Sequence, residues 1–425
     1  MSQRRLPSLR SVNLGRPRLS LGPFGGLLGS AKGDASQSLA ALAISATTSL
    51  ITGLTMASIT GSFERHPGLL LFIPAAVGLR GNVFGPLGGR LSTAIRTGTF
   101  SWTWRRDSVL GQNIISAITA SLVAALGIAV VASLVVRLID DRVVGAMRLP
   151  DFIVVSALGG LLASIVVLAI TLALTVASDR FGWDLDNVTA PMVSSAGDFV
   201  TLPAIVLSTT LIGRGRVTDV LAIGLVCLGG ALLLLLYRSD LSTARRILSE
   251  SLPILVLAGF LSLLAGFALE GSLDHLLRYS VLLVLVPGFL TTGGALGGIL
   301  SSRLATKFHL GLIDRSAVPD SAARSDIGMT FAIALPIFTF LAIAAALVGE
   351  LAGRTSPGVG LLVLVAVSGG LVATLVVVAV AYYATLVVVR FGLDPDNLGI
   401  PMASATLDVV GALTLLGAAM VWGVA

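Results

Sequence analysis

The chain has little of what a water-soluble protein is built from. Only 12% of its 425 residues are charged, about half the usual share of a soluble domain, so a water-facing surface cannot be drawn from it. Lys32 and Lys307 are the only lysines. The formal charge of +6 therefore rests on arginines in short loops between apolar stretches. Its simpler account is the excess of positive charge on cytoplasmic loops, and no nucleic-acid partner is expected. A single cysteine, Cys227, lies in an apolar run, which excludes a disulfide framework or a cysteine metal site within one chain. The three histidines, His66, His275 and His309, are scattered through loops, so a zinc- or copper-type site is not expected. Residues 1–36 lack the apolar core and small-residue cleavage site of a secretory signal. They are polar and basic and read as a disordered cytoplasmic tail, the alternative being a short amphipathic helix on the membrane surface.

What is abundant is apolar: 55% of the residues are hydrophobic. They fall in uncharged runs such as 252–269 and 358–389, long enough to cross a bilayer. The expected fold is all-α and polytopic. Spans are expected near 37–60, 69–95, 109–136, 150–178, 188–211, 217–237, 252–270, 279–303, 327–349, 358–389 and 398–422, about eleven transmembrane helices. With the N-terminus inside, the inner side collects 19 of the 28 basic residues and the outer side 8, with Arg80 left within a span. That asymmetry places the N-terminus in the cytoplasm and the C-terminus outside a cell membrane.

The chain also repeats itself. RFGWDLDNVTAPMVSSAGDFV from Arg180 and RFGLDPDNLGIPMASATLDVV from Arg390 agree at 11 of 21 positions without a gap, at an offset of 210. PAAVGLRGNVFGPLGGRLSTAIRTG from Pro74 and PGFLTTGGALGGILSSRLATKFHLG from Pro287 agree at 8 of 25, at an offset of 213. The expected organisation is a first five-helix repeat over 37–211, a linking transmembrane helix and loop over 212–251, and a second repeat over 252–425. Five spans is an odd number, so direct fusion would invert the halves, and the linking span makes them parallel. Matched residues then sit at equal depth about an axis along the membrane normal. A chain that forms its own pseudo-dimer is expected to be monomeric.

In the more similar segment the shared residues include Asn187, Pro191, Ser194 and Asp198, matched by Asn397, Pro401, Ser404 and Asp408. At about 100° per residue each set spans an arc of roughly 60°, one polar stripe on one helix face. Asp198 lies about 16 Å beyond Asn187 at helical rise, near the middle of a hydrocarbon core about 30 Å thick. An ionised carboxylate there costs roughly 2.5–3.5 kcal/mol, so it faces a protein interior or an aqueous path. Two carboxylates meeting on an axis would neutralise a divalent cation, and oxygen ligands suit hard ions such as Mg2+ or Ca2+. Asp198 and Asp408 are thus the candidate metal ligands, with the rest of each stripe lining the path.

Asp184, Asp186, Asp394 and Asp396 precede these helices on the inner side. They read both as an acidic mouth and as helix-capping residues. Gly81 and Gly85, matched by Gly294 and Gly298, have the spacing of closely packed membrane helices. Pro74 and Pro287 would free carbonyls there, so Gly81, Gly294 and Asn82 join the candidate lining, although Asn82 is matched by Ala295. Arg80 is matched by Gly293, and is expected either to pair with a carboxylate or to snorkel outward.

The paired PxxxxxxGxxxG and FGxDxDNxxxPMxSxxxD segments resemble the transmembrane domain of the MgtE family of magnesium transporters and channels, especially its duplicated solute-carrier form. The resemblance covers essentially all of 37–425. It implies two five-helix units around a central pore, the family's pore aspartate falling on Asp198 and Asp408. It also implies Mg2+ as the transported ion, with no other cofactor and no enzymatic activity. No counterpart of the family's amino-terminal helical domain or cystathionine-synthase-type pair is seen, so gating by those domains is not expected. A secondary exchanger coupling Mg2+ to Na+ or H+ uses the same carboxylates and stays open beside a channel. An intramembrane aspartyl protease also uses two aspartates, but its GxGD and YD motifs are missing: Ser195, Ala196 and Gly197 precede Asp198, and Leu407 precedes Asp408.

Overall fold

The computed structural model describes residues 23–59, 69–139, 147–181, 185–309, 311–314, 316–391 and 395–424, which are helical with short connections and no strand. The helices are α1 (Pro23–Ser58), α2 (Leu69–Arg96), α3 (Val109–Ile139), α4 (Leu149–Ile153), α5 (Gly159–Phe181), α6 (Leu185–Thr209), α7 (Arg216–Arg238), α8 (Ser242–Gly271), α9 (Leu273–Arg278), α10 (Val281–His309), α11 (Ser321–Leu351), α12 (Val359–Phe391) and α13 (Pro395–Val421). A π-helical turn, Val154–Leu158, joins α4 to α5 in one rod. The protein is a polytopic helical membrane protein. Among the described residues nine helices are long and apolar enough to cross a bilayer. Two of the eleven expected spans fall outside that number: α2, which carries Arg80, Asn82, Arg90 and two prolines, and α6, whose described apolar stretch is the 15 residues of Ser195–Thr209.

Three helices begin earlier than the apolar runs do. The backbone is already helical from Pro23, so 23–36 is not the irregular tail expected; residues 1–22 lie outside the described part. Proline suits a first helical turn, where its missing N–H costs nothing, and no second proline follows within α1. α8 begins at Ser242, ten residues before the expected span, and replaces most of the expected loop. Arg246 and Glu250 pair at 2.7 Å one turn apart there, which continues the helix into water. α11 begins at Ser321 because Asp320 caps it, its Oδ1 accepting from the Ala323 amide at 2.8 Å. That amide bond, first among several, holds the Asp320 carboxyl below its ordinary range.

Helix packing repeats along the chain. α2 lies on α5 and α6 as α10 lies on α12 and α13, and α1 meets α6 as α8 meets α13. The first helix of each set crosses over: α1 packs on α10 and α11, and α8 on α2 and α3. Both crossings are glycine contacts. A methyl group at Gly53 of α1 would overlap the Val284 carbonyl of α10, and one at Gly266 of α8 would overlap the Leu71 carbonyl of α2. Gly53 and Gly266, and Leu71 and Val284, are each 213 residues apart. Without a hydrophobic drive between helices in lipid, such backbone approach is what holds them together. The helices α2 and α10 also end alike. Gly98 and Gly311, at φ of 70° and 67°, let Thr99 and Leu312 donate back to the Ala94 and Lys307 carbonyls at 3.0 and 2.9 Å.

α7, the expected linking span, lies at the periphery. Ile223 and Leu235 are more than 60% exposed, as lipid-facing residues are. Its first turn is tied down by Arg148, which pairs with Asp219 of α7 at 3.3 Å and with Asp151 of α4 at 3.4 Å.

Candidate cation site

α1, α2, α6, α8, α10 and α13 enclose a cavity of about 50 Å3. Its lining pairs off at the two sequence offsets: Met56 with Leu269, Ile73 with Val286, Pro74 with Pro287, Val77 with Leu290, Gly78 with Thr291, and Asp198 with Asp408. Prolines inside α2 and α10 are tolerated because neighbouring helices can re-satisfy the freed backbone groups.

Asp198 is 2% exposed and Asp408 8% exposed. Ser49 Oγ of α1 donates to Asp198 Oδ2 at 3.3 Å, and Thr291 Oγ1 of α10 donates to the same oxygen. Ser262 Oγ of α8 donates to Asp408 Oδ2. Ser49 and Ser262 are also 213 residues apart. A buried carboxylate without partners is untenable, and these hydroxyls supply part of what water would. Both carboxyl groups line the one cavity, which makes it the candidate site for a positive ion. Among the described residues no cluster of three His, Cys, Asp or Glu side chains exists, so the cavity offers two carboxyl groups with hydroxyls beside them.

The other candidates fall in different places. Ser404 lines the cavity and packs on Gly294, where a Cβ would stand 3.3 Å from its Oγ. Gly81 and Gly294 lie at the α2–α6 and α10–α13 contacts and not among the cavity-lining residues. Asn82 is 4% exposed, away from that lining, and its Oδ1 has no partner among the described residues. The side chains of Asn187, Pro191, Ser194, Asp186, Asn397, Pro401 and Asp396, and all of Asp184 and Asp394, lie outside the described part. Sequence reasoning missed Ser49, Ser262, Thr291 and Gly78, although the offset of 213 carries the first of these to the second.

Arg80 meets neither expectation. It is fully buried, so it does not snorkel, and among the described residues no carboxylate pairs with it. Its Nη1 donates to Ser121 Oγ of α3, to Ser164 Oγ at 2.9 Å and to the Gly160 carbonyl at 3.2 Å on α5. The reason is helical geometry: two residues beyond Gly78, Arg80 is turned by about 200° and points away from the cavity. Size is exchanged around it. Gly197 of α6 makes room for the Arg80 stem, its absent Cβ lying 2.9 Å from Arg80 Cβ. At the matched pair glycine is on the other helix, Gly293 making room for Leu407. Gly160 abuts the Arg80 guanidinium, whereas the matched Gly370 abuts the Phe338 ring. An aromatic ring thus fills in one half the space that a cation fills in the other.

Arg80 Nε and Nη2 have no partner among the described residues, so the charge is a cost to the fold. Arg80→Met, of similar length and apolar, should leave the thermal midpoint in detergent unchanged or raise it. Gly197→Leu, which sets a side chain against Arg80, should lower it by several degrees. A marked loss of stability in Arg80→Met would show that the Nη1 hydrogen bonds outweigh the cost of the buried charge.

An all-helical bundle that buries two carboxylates on one cavity has the architecture of a membrane transporter for a small cation. The comparisons with known proteins agree. The family model MgtE, described as a divalent cation transporter, matches residues 73–208 and again 286–418, more than half of the chain. The chain belongs to the MgtE family, whose members are transporters and not enzymes. Solute carrier family 41 member 3 of Rattus norvegicus is 27% identical over 252 residues, covering 58% of this chain and 54% of its own. Solute carrier family 41 member 2 of Mus musculus is 24% identical over 397 residues, covering 85% and 65%. The chain thus spans about half to two thirds of the length of these curated relatives. A solved structure titled as MATE in complex with Br-NRF aligns over 93% of this chain at 12% identity and a TM-score of 0.36, too low to carry an argument.

Proposed function

We propose that this protein moves Mg2+ across a cell membrane through the cavity between its two halves, with Asp198 and Asp408 jointly binding the ion. The observation that carries this reading is the pair of buried carboxylates on one cavity, each hydrogen-bonded by a matched serine. The halves are two five-helix units, 37–211 and 252–425, joined by α7. The double match of one family model, the recurrent helix contacts and the constant offsets of the lining support that organisation. The N-terminus is cytoplasmic and the C-terminus outside, a disposition that reporter fusions finding both ends on one side would contradict.

Mg2+ suits the site because it keeps several waters and is held by one or two carboxylates. The cavity, at about 50 Å3, has room for water beside an ion. The carboxylates would replace part of the hydration shell, or the site would open to admit the rest.

The test is Mg2+ entry into sealed proteoliposomes under imposed Na+, H+ and voltage gradients. A voltage-driven flux indifferent to Na+ and H+ marks a conductive path, and a flux that follows one of those gradients marks an exchanger. No Mg2+ movement under any gradient contradicts the proposal.

A further inference from the structure

The two carboxylates share a cavity and a sequence context, but their surroundings differ in three ways. The first is hydrogen bonding. Asp198 Oδ2 accepts from Ser49 and Thr291, whereas Asp408 Oδ2 accepts from Ser262 alone among the described residues. The second is space. The position matched to Thr291 is Gly78, and its missing Cβ would stand 3.2 Å from Asp408 Oδ2 and 3.7 Å from Ser262 Oγ. Where one carboxylate meets a hydroxyl, the other meets an opening. The third is packing. The residue before Asp198, Gly197, packs on the stem of Arg80, whereas the residue before Asp408 is Leu407, packed on Gly293.

The first two differences act in the same direction. A carboxylate oxygen that already accepts two hydroxyls has fewer lone pairs for a metal. A carboxylate with one hydroxyl and an adjacent opening keeps both the lone pairs and the room. We infer that the site is asymmetric: Asp408 is the direct ligand of the cation, with Gly78 keeping the ligand position beside it open, and Asp198 acts at longer range through water. Gly78 is then a specificity-determining position, since the space it leaves sets how much of the hydration shell stays on the ion at Asp408. This inference rests on the reading of the cavity as the ion's binding site.

The experiment compares matched substitutions in the full-length chain, reading the half-saturating Mg2+ concentration for proteoliposome uptake, with monodispersity checked for each variant. Asp408→Asn should raise that concentration by about a hundredfold and Asp198→Asn by about tenfold, each tenfold being one 1.4 kcal/mol step. Gly78→Ala, which crowds Asp408, should raise it by about tenfold, and Thr291→Ala by no more than about threefold. The Asn variants are isosteric, so they decide the matter even if Gly78→Ala fails to fold. Equal effects of the two Asn variants, or a larger one from Asp198→Asn, overturn the asymmetry while leaving the shared site standing. Near-normal uptake in both overturns the shared site itself.

Discussion

Mg2+ uptake at low external concentration should fall by about two orders of magnitude in Asp408→Asn, and further loss in the double variant with Asp198→Asn should be small. Asparagine keeps the size and most of the hydrogen bonding of aspartate, so Ser49, Thr291 and Ser262 retain an acceptor and the helices keep their packing. What is removed is one negative charge from a site that holds two. At a buried position that charge is worth far more than on a surface. Once either carboxylate is gone the remaining one faces a divalent ion alone, which is why the losses do not add. Reconstituted uptake by both single variants and the double, beside the wild type, checks this. Additive losses would assign the two residues to separate sites.

The second large effect concerns assembly of the halves. Substituting Gly53 or Gly266 with valine should lower the thermal midpoint in detergent by a few degrees and yield aggregated material, overpacking costing about 1–3 kcal/mol or more. The overlap is with backbone carbonyls at Val284 and Leu71, which cannot rotate aside as a side chain does. The helices α1 and α10, or α8 and α2, would have to separate. Those crossings bring Ser49 and Ser262 onto their carboxylates, so uptake should fall as well. Gly224→Ala on α7, where nothing lies within 4 Å of the added methyl, supplies the comparison. A Gly53→Val or Gly266→Val protein as stable as Gly224→Ala would mean that the close crossings do not hold the halves.

Much of this was legible in the sequence, and particular residues show where legibility stops. The spans could be placed because an uncharged run such as 358–389 permits little but a buried or lipid-facing helix. The early starts of α8 and α11 could not be placed so easily. Beyond the membrane a helix is continued by local devices, such as Arg246 with Glu250 and the Asp320 cap, that leave no apolar trace. Asp198 and Asp408 stood out as charges in apolar surroundings, repeated in one context. Ser49, Ser262 and Thr291 did not, because a hydroxyl in an apolar helix commonly bonds its own backbone. Thr47, Thr48 and Thr55 do so within the same α1. Only the fold decides which hydroxyl reaches a carboxylate. Arg80 differs for the opposite reason: a lone cation in a span suggests either an anionic partner or a route to the surface, and its position on α2 turns it towards Ser121 and Ser164 instead.

The central claim, that Asp198 and Asp408 together bind one divalent cation, is tested most directly by equilibrium binding. Mn2+ is the probe, a hard cation with similar oxygen preferences whose bound fraction is read by electron paramagnetic resonance and displaced by Mg2+. The purified wild-type chain should hold one Mg2+-displaceable Mn2+, and a monodisperse Asp198→Asn/Asp408→Asn protein should hold none. A Mg2+-displaceable Mn2+ that persists at wild-type affinity in the double variant would contradict the account.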